Sequence, residues 1–142
     1  MIFVQPAYLP SVNYFKDFND NDLVYNINLG LDESDYFDET YMSNENGVFK
    51  VKVPTTNKNK SNFQRDIKID YNNNWIKSHT HSLQSAYGKF PYFIFYLDPI
   101  LNVLKTNHTF MIDLNYDLLS LFLELLNYCL LYTSDAADEQ QR

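Results

Sequence analysis

The 142-residue chain has little of what several chemistries require. It holds three glycines, Gly30, Gly47 and Gly88, too scattered to build a phosphate cradle. No P-loop, dinucleotide fingerprint, G-x-S-x-G elbow or H-E-x-x-H helix occurs. Arginine is nearly absent, at Arg65 and Arg142 alone, and the formal net charge is −7. An acidic chain with no basic stripe argues against nucleic acid as a partner. Cys129 is the single cysteine, so no disulfide framework exists and a reducing, cytoplasmic compartment fits. No apolar run is long enough for a membrane span, and no charged segment followed by an apolar core opens the chain.

Aromatic residues are abundant, with 12 tyrosines and 11 phenylalanines. Asparagine is frequent throughout, as an AT-rich genome would give, so no single asparagine is assigned a function. The length suits one domain with a real core.

Residues 1–4 form a short apolar run, consistent with a buried strand. The loop Gln5-Pro6-Ala7-Tyr8-Leu9-Pro10 follows, stiffened by its two prolines. Loops leaving a buried strand often carry ligand contacts, and Gln5 and Tyr8 offer hydrogen-bonding groups. The alternative is a structural turn with Tyr8 packed as a hydrophobic lid. Ser11 caps a predicted helix over 12–19. Asp20-Asn21-Asp22 matches the D-x-D of many glycosyltransferases, but it precedes a strand where theirs follows one, so it reads as a turn. Alternation predicts a strand over 23–29. Residues 32–39 carry five carboxylates without the glycine and spacing of a calcium loop, so a solvated connection is expected and no metal site.

Residues 41–53 read as a hairpin turned at Asn44-Glu45-Asn46-Gly47, with Phe49, Val51 and Val53 on one face. Pro54 ends it. The lysine-bearing stretch 55–64, with Lys58 and Lys60, can close over a phosphate or anionic sugar, or simply be a polar connection. Ile67 and Ile69 alternate with Lys68 and Asp70 as a strand does. Asn74 is the expected N-cap of an amphipathic helix starting at Trp75, with Trp75, His79 and Leu83 inward and His81 outward. His79 is then either a hydrogen-bonded core residue or a working group on a pocket wall. Gly88 is expected to end this helix at positive φ, and Pro91 to sit in the first turn of the next. Pro99 starts a second helical segment or kinks the first. Residues 109–112 are a short extended candidate, and 113–128 a strongly apolar helix whose wide face suggests a further covering element.

Residues 129–139, CLLYTSDAADE, resemble an in-frame translation of a sequencing adapter. That resemblance implies a non-native tail over 129–142, excluded from fold reasoning. The expectation is a single domain over 1–128, truncated at its C-terminus. The predicted class is α+β: a small mixed or antiparallel sheet from the N-terminal half, packed with helices of the C-terminal half.

Gln5-Pro6-x-Tyr8-Leu9-Pro10 followed by Tyr14-Phe15 resembles the N-terminal signature of the WbqC-like proteins. Val51-Lys52-Val53-Pro54, Asp66-Ile67-x-Ile69-Asp70, Trp75, His79, Ala86-Tyr87-Gly88-Lys89, Pro91-Tyr92-Phe93 and Phe110-x-x-Asp113-Leu114-Asn115 follow in that family's order. The resemblance covers residues 2–128. It implies a role in bacterial surface-polysaccharide or O-antigen biosynthesis, as a transferase of glycine or another aminoacyl group to a sugar. An activated sugar or amino sugar would be the partner; the resemblance specifies no cofactor. On that reading His79 is the candidate general base. Gln5, Tyr8 and Tyr92 would position substrate, and Lys89 would meet a phosphate or carboxylate. The family's Asn-Arg pair before the hairpin corresponds here to Asp38-Glu39, which puts anion binding there in doubt. The alternatives are a non-catalytic carbohydrate- or nucleotide-sugar-binding protein, and a scaffold subunit of a biosynthetic complex.

Overall fold

A computed structural model of the chain describes residues 2–16, 18, 23–31, 36–56, 58 and 62–141. Asp20-Asn21-Asp22, the first half of the acidic connection (32–35) and Lys60 lie outside the described residues.

The class is α+β, with the strands in the first half and the helices in the second. The strands form two separate pairs. Strands β1 (Ile2–Val4) and β2 (Leu23–Tyr25) pair in parallel, while β3 (Glu39–Asn44) and β4 (Gly47–Lys52) form an antiparallel hairpin. The hairpin turns where expected, with Asn44 opposite Gly47 and the Asn46 N–H donating to Asn44 Oδ1. Gly47 takes φ 119°, a conformation that favours glycine. β2 is shorter than the alternation over 23–29 implies. Beyond Tyr25 the chain leaves the pairing and next bridges at Gly30, opposite Phe63. Among the described residues of the helix expected over 12–19, only Val12–Phe15 is helical, as one turn of 3-10 helix.

The segment containing Ile67 and Ile69 is held from both sides. Asp70 N–H donates to the Pro54 carbonyl and Thr56 N–H to that of Lys68; on the other flank Ile69 N–H reaches Thr109 O and Met111 N–H reaches Ile67 O. It is therefore paired by isolated bridges, Ile69 with Thr55 on one side and Lys68 with Phe110 on the other. Burial follows the alternation, for Ile67 and Ile69 are buried and Lys68 is exposed.

Helix α1 (Trp75–Tyr87) buries Trp75, His79 and Leu83, the face its 3.6-residue period predicts. Asn74 precedes it without a side-chain cap bond. Gly88 stays right-handed at φ −61°, and the reversal passes to Tyr92, at φ 68°. Glycine is still needed at 88, since a Cβ there would lie 2.4 Å from the Gln84 carbonyl oxygen. Helix α2 (Phe93–Leu104) contains Pro99 without a break, and Pro91 lies before its cap. Helix α3 (Met111–Gln141) starts two residues earlier than the pattern suggests and its backbone is helical through 129–141. No proline or glycine occurs after Pro99 to stop it, and the last stretch is rich in Ala, Leu, Glu and Gln, all good helix formers.

Two apolar clusters hold these elements. One joins Tyr8, Phe37, Val53, Ile67, Trp75, Leu104, Met111 and Leu118; the other joins Met42 and Val51 of the hairpin to Leu83 and Leu97. Hydrogen bonds tie the elements further: buried Asn115 Nδ2 donates to Phe37 O at 2.6 Å, and half-buried Tyr25 Oη–H to Ile112 O at 2.9 Å. Tyr25→Phe removes the bond that ties β2 to α3 and leaves the Ile112 carbonyl one donor short. A loss of about 1 kcal/mol in urea-unfolding stability is expected. An unchanged midpoint would mean the hydroxyl holds nothing.

Candidate functional site

The loop from Gln5 to Pro10 is pinned onto the hairpin by its backbone. Tyr8 N–H donates to Tyr36 O at 2.8 Å, and the Thr40 hydroxyl donates to Leu9 O at 3.0 Å. The Tyr14 hydroxyl donates to the Gln5 carbonyl. Between these ties Leu9 adopts φ 44°, a left-handed conformation costly for a branched side chain. The bend turns the Tyr8 ring into the core, where the residue is 1% exposed.

There Tyr8 meets His79 of α1. The Tyr8 hydroxyl lies 2.7 Å from His79 Nδ1, and His79 Nε2 lies 3.0 Å from the Lys52 carbonyl oxygen. A carbonyl only accepts, so Nε2 carries the proton and Nδ1 accepts from the Tyr8 hydroxyl. Trp75 closes the other side, its ring edge-on to the imidazole at 4.9 Å. His79 is 4% exposed. Burial lowers its pKa from the usual 6.5 to about 4, against the Lys52 hydrogen bond, which raises it. Burial pushes the Tyr8 phenol upward. Both groups are neutral at pH 7, joined by one hydrogen bond.

On the outer side of the same loop is a cavity of about 470 Å³, lined by Gln5, Tyr8, Asn13, Tyr14, Tyr36 and Tyr41 among others. None of the described residues that line it is ionisable at neutral pH; they offer amides, phenols, hydroxyls and aromatic faces. Gln5 and Tyr8 thus line one cavity, and His79 touches it through Tyr8. The other two sequence candidates stand elsewhere. Lys89 follows α1 and pairs with Glu45 of the hairpin turn, beside a cleft lined by Asn44, Gln84 and Ser85. Tyr92 is 69% exposed and borders a third depression with Phe90 and Ile94.

Tyr36, Tyr41, Thr40 and Asn13 were not singled out from the sequence. A signal existed only for Tyr41: on a strand that buries Thr40 and Met42, position 41 must face outward. The doubtful anion site at Asp38-Glu39 is filled from within. The Lys58 ammonium lies 2.5 Å from Asp38 Oδ2, and Lys50 faces Glu39 at 3.5 Å. Lys58 is therefore committed to a buried carboxylate. Among the described residues no group of three His, Cys, Asp or Glu side chains gathers to hold a metal, and no helix is long and apolar enough to cross a membrane.

No curated protein and no solved structure matches the chain. A family model, that of the WbqC-like protein family, matches residues 5–137, from the tyrosine-bearing loop through most of α3. That span takes in every element from the Tyr8 loop to the hairpin, α1 and α2, and by it the chain belongs to the WbqC-like protein family.

Proposed function

We propose that this chain is a sugar-binding protein of bacterial surface-polysaccharide assembly, with its ligand seated in the cavity around Gln5, Tyr14 and Tyr41. The observation that carries this reading is the lining itself. Tyrosine faces suit the C–H surface of a sugar ring, while amides and hydroxyls suit its hydroxyl groups. The absence of ionisable groups among the described lining residues favours an uncharged ring over a free phosphate. For an activated sugar, this cavity would take the sugar rather than the diphosphate, and Lys89 lines a different cleft.

The test is a titration of uncharged and amino monosaccharides, followed by shifts of tyrosine ring resonances. Saturable binding is expected, weakened about tenfold in Tyr41→Ala, equivalent to about 1.4 kcal/mol. Binding that ignores the substitution, or no binding by any sugar, rejects the cavity.

A second reading, transfer of glycine or another aminoacyl group to the sugar, draws support from the Tyr8–His79 hydrogen bond. In that reading the Tyr8 oxygen takes a proton from the attacking amine or hydroxyl as its own proton moves to Nδ1 of His79. Nε2–H stays on the Lys52 carbonyl and steadies the imidazolium. The low proton affinity of His79 weighs against it and places simple binding first. His79→Gln separates the two: a transferase loses turnover by orders of magnitude while keeping sugar affinity. Turnover and affinity that fall together would rule out His79 as the base.

A further inference from the structure

The sugar-sized cavity does not end at Tyr41. Through Pro10, Ser11, Thr40 and Tyr41 it shares lining with a second cavity of about 600 Å³, which continues over Leu9, Leu83, Phe93 and Ile100. That cavity in turn shares Pro10, Tyr96, Ile100 and Phe122 with a third, of about 380 Å³, reaching Leu125 and Leu126. The three form one trough around Pro10. Its character changes along its length. The first part carries Gln5, Asn13 and four tyrosines; the last is apolar apart from the Tyr96 hydroxyl. Among the described residues, no Asp, Glu, Lys, Arg or His side chain lines any of the three.

We infer that the trough binds a neutral amphiphile: a sugar in the tyrosine-lined end, carrying an apolar chain or aglycone that lies along Ile100 and Phe122 toward Leu126. This rests on the sugar-binding reading above and adds the class of molecule to which the sugar is attached. A free sugar would fill only the first cavity and leave two apolar ones in water. An ionic lipid headgroup would bring a charge to a lining with no counter-charge, a costly arrangement. A neutral glycoside of an apolar chain matches both ends. The chain adds affinity by leaving water, and the head sets orientation.

The experiment compares methyl β-maltoside, dodecyl β-maltoside and dodecyl octaethylene glycol, each below its micelle concentration, by calorimetry on the intact chain. Dodecyl maltoside is expected to bind at least about tenfold more tightly than methyl maltoside, a modest fraction of what burying eleven further methylenes can give. It should also bind more tightly than the dodecyl ether, which lacks the sugar. Leu126→Glu, at a position 44% exposed, puts a carboxylate at the apolar end. It should remove most of the chain-dependent gain and leave methyl maltoside affinity unchanged. Matching melting curves for the variant confirm that the fold is intact. Methyl maltoside binding with no gain from the chain overturns this inference and leaves the sugar-binding reading standing. Equal affinity for the dodecyl ether overturns it as non-specific adsorption. If neither maltoside binds, this inference falls, and the sugar-binding reading is decided by the monosaccharide titration above.

Discussion

Between pH 6.5 and pH 4 the protein is expected to lose about 3 kcal/mol of folding stability through His79 alone. The cause is the cage described by Tyr8, Lys52 and Trp75. In the unfolded chain the imidazole protonates near its ordinary 6.5; in the folded protein burial holds its pKa down at about 4. Within that window the unfolded state binds more protons, so stability falls as pH falls. The contribution is complete above about pH 6.5 and gone once pH reaches the folded value. Urea unfolding at pH 7, 5.5 and 4.5 reads it directly. His79→Gln should be less stable at pH 7, since it disturbs two buried hydrogen bonds, yet it should lack the His79 part of the acid slope. If wild type and variant lose stability in parallel, the buried neutral imidazole is not what the acid limb titrates. The same property bears on chemistry. A base that protonates near pH 4 is unprotonated at neutral pH but a weak proton acceptor, so any turnover depending on it should fall away only in acid.

Lys58→Met is expected to cost on the order of 2 kcal/mol, and the double variant Asp38→Asn/Lys58→Met to regain most of it. Asp38 is 1% exposed. Its Oδ2 accepts no hydrogen bond of ordinary geometry, so its compensation is the Lys58 ammonium at 2.5 Å. The same ammonium sits over the Phe37 ring, 5.0 Å from its centroid. Removing one member of a fully buried pair costs about 3–5 kcal/mol, because the other charge is stranded. Lys58 is one-third exposed, which admits water to Asp38 and reduces the figure. Replacing Asp38 by asparagine removes the stranded charge, and asparagine is the residue the family resemblance places there. Thermal melts of the wild type and both variants decide the matter. A single variant as stable as wild type would show the pair to be incidental. A double variant no better than the single would show that lost packing of the lysine stem, rather than lost charge, is the cause.

The Lys58 case also marks where sequence reasoning stops. Lysines in a polar stretch suggest an anion outside the protein; nothing local reveals that a buried aspartate twenty residues earlier takes one of them. That Gln5 and Tyr8 share one place was legible because two prolines make their loop stiff and its position after a strand is local information. Lys89 and Tyr92 look equally apt in sequence, yet the turn after α1 carries them to other clefts. Tyr36, Tyr41 and Asn13 come from three separate segments and meet only in space.

The sequence by itself determined the α+β class, the hairpin and its Asn-Gly turn, the buried face of α1 and the alternation of Ile67 and Ile69. These follow from side-chain period and turn chemistry, which act over a few residues. It also left His79 with two readings, core or working group, and could go no further. Tertiary structure alone decided that Tyr8 and the Lys52 carbonyl fill both imidazole nitrogens, that the described strands form two pairs, and that a tyrosine-lined cavity shares Pro10 with two more apolar ones. Each depends on contacts between segments tens of residues apart, whose geometry is fixed by packing of the whole core and not by any local pattern.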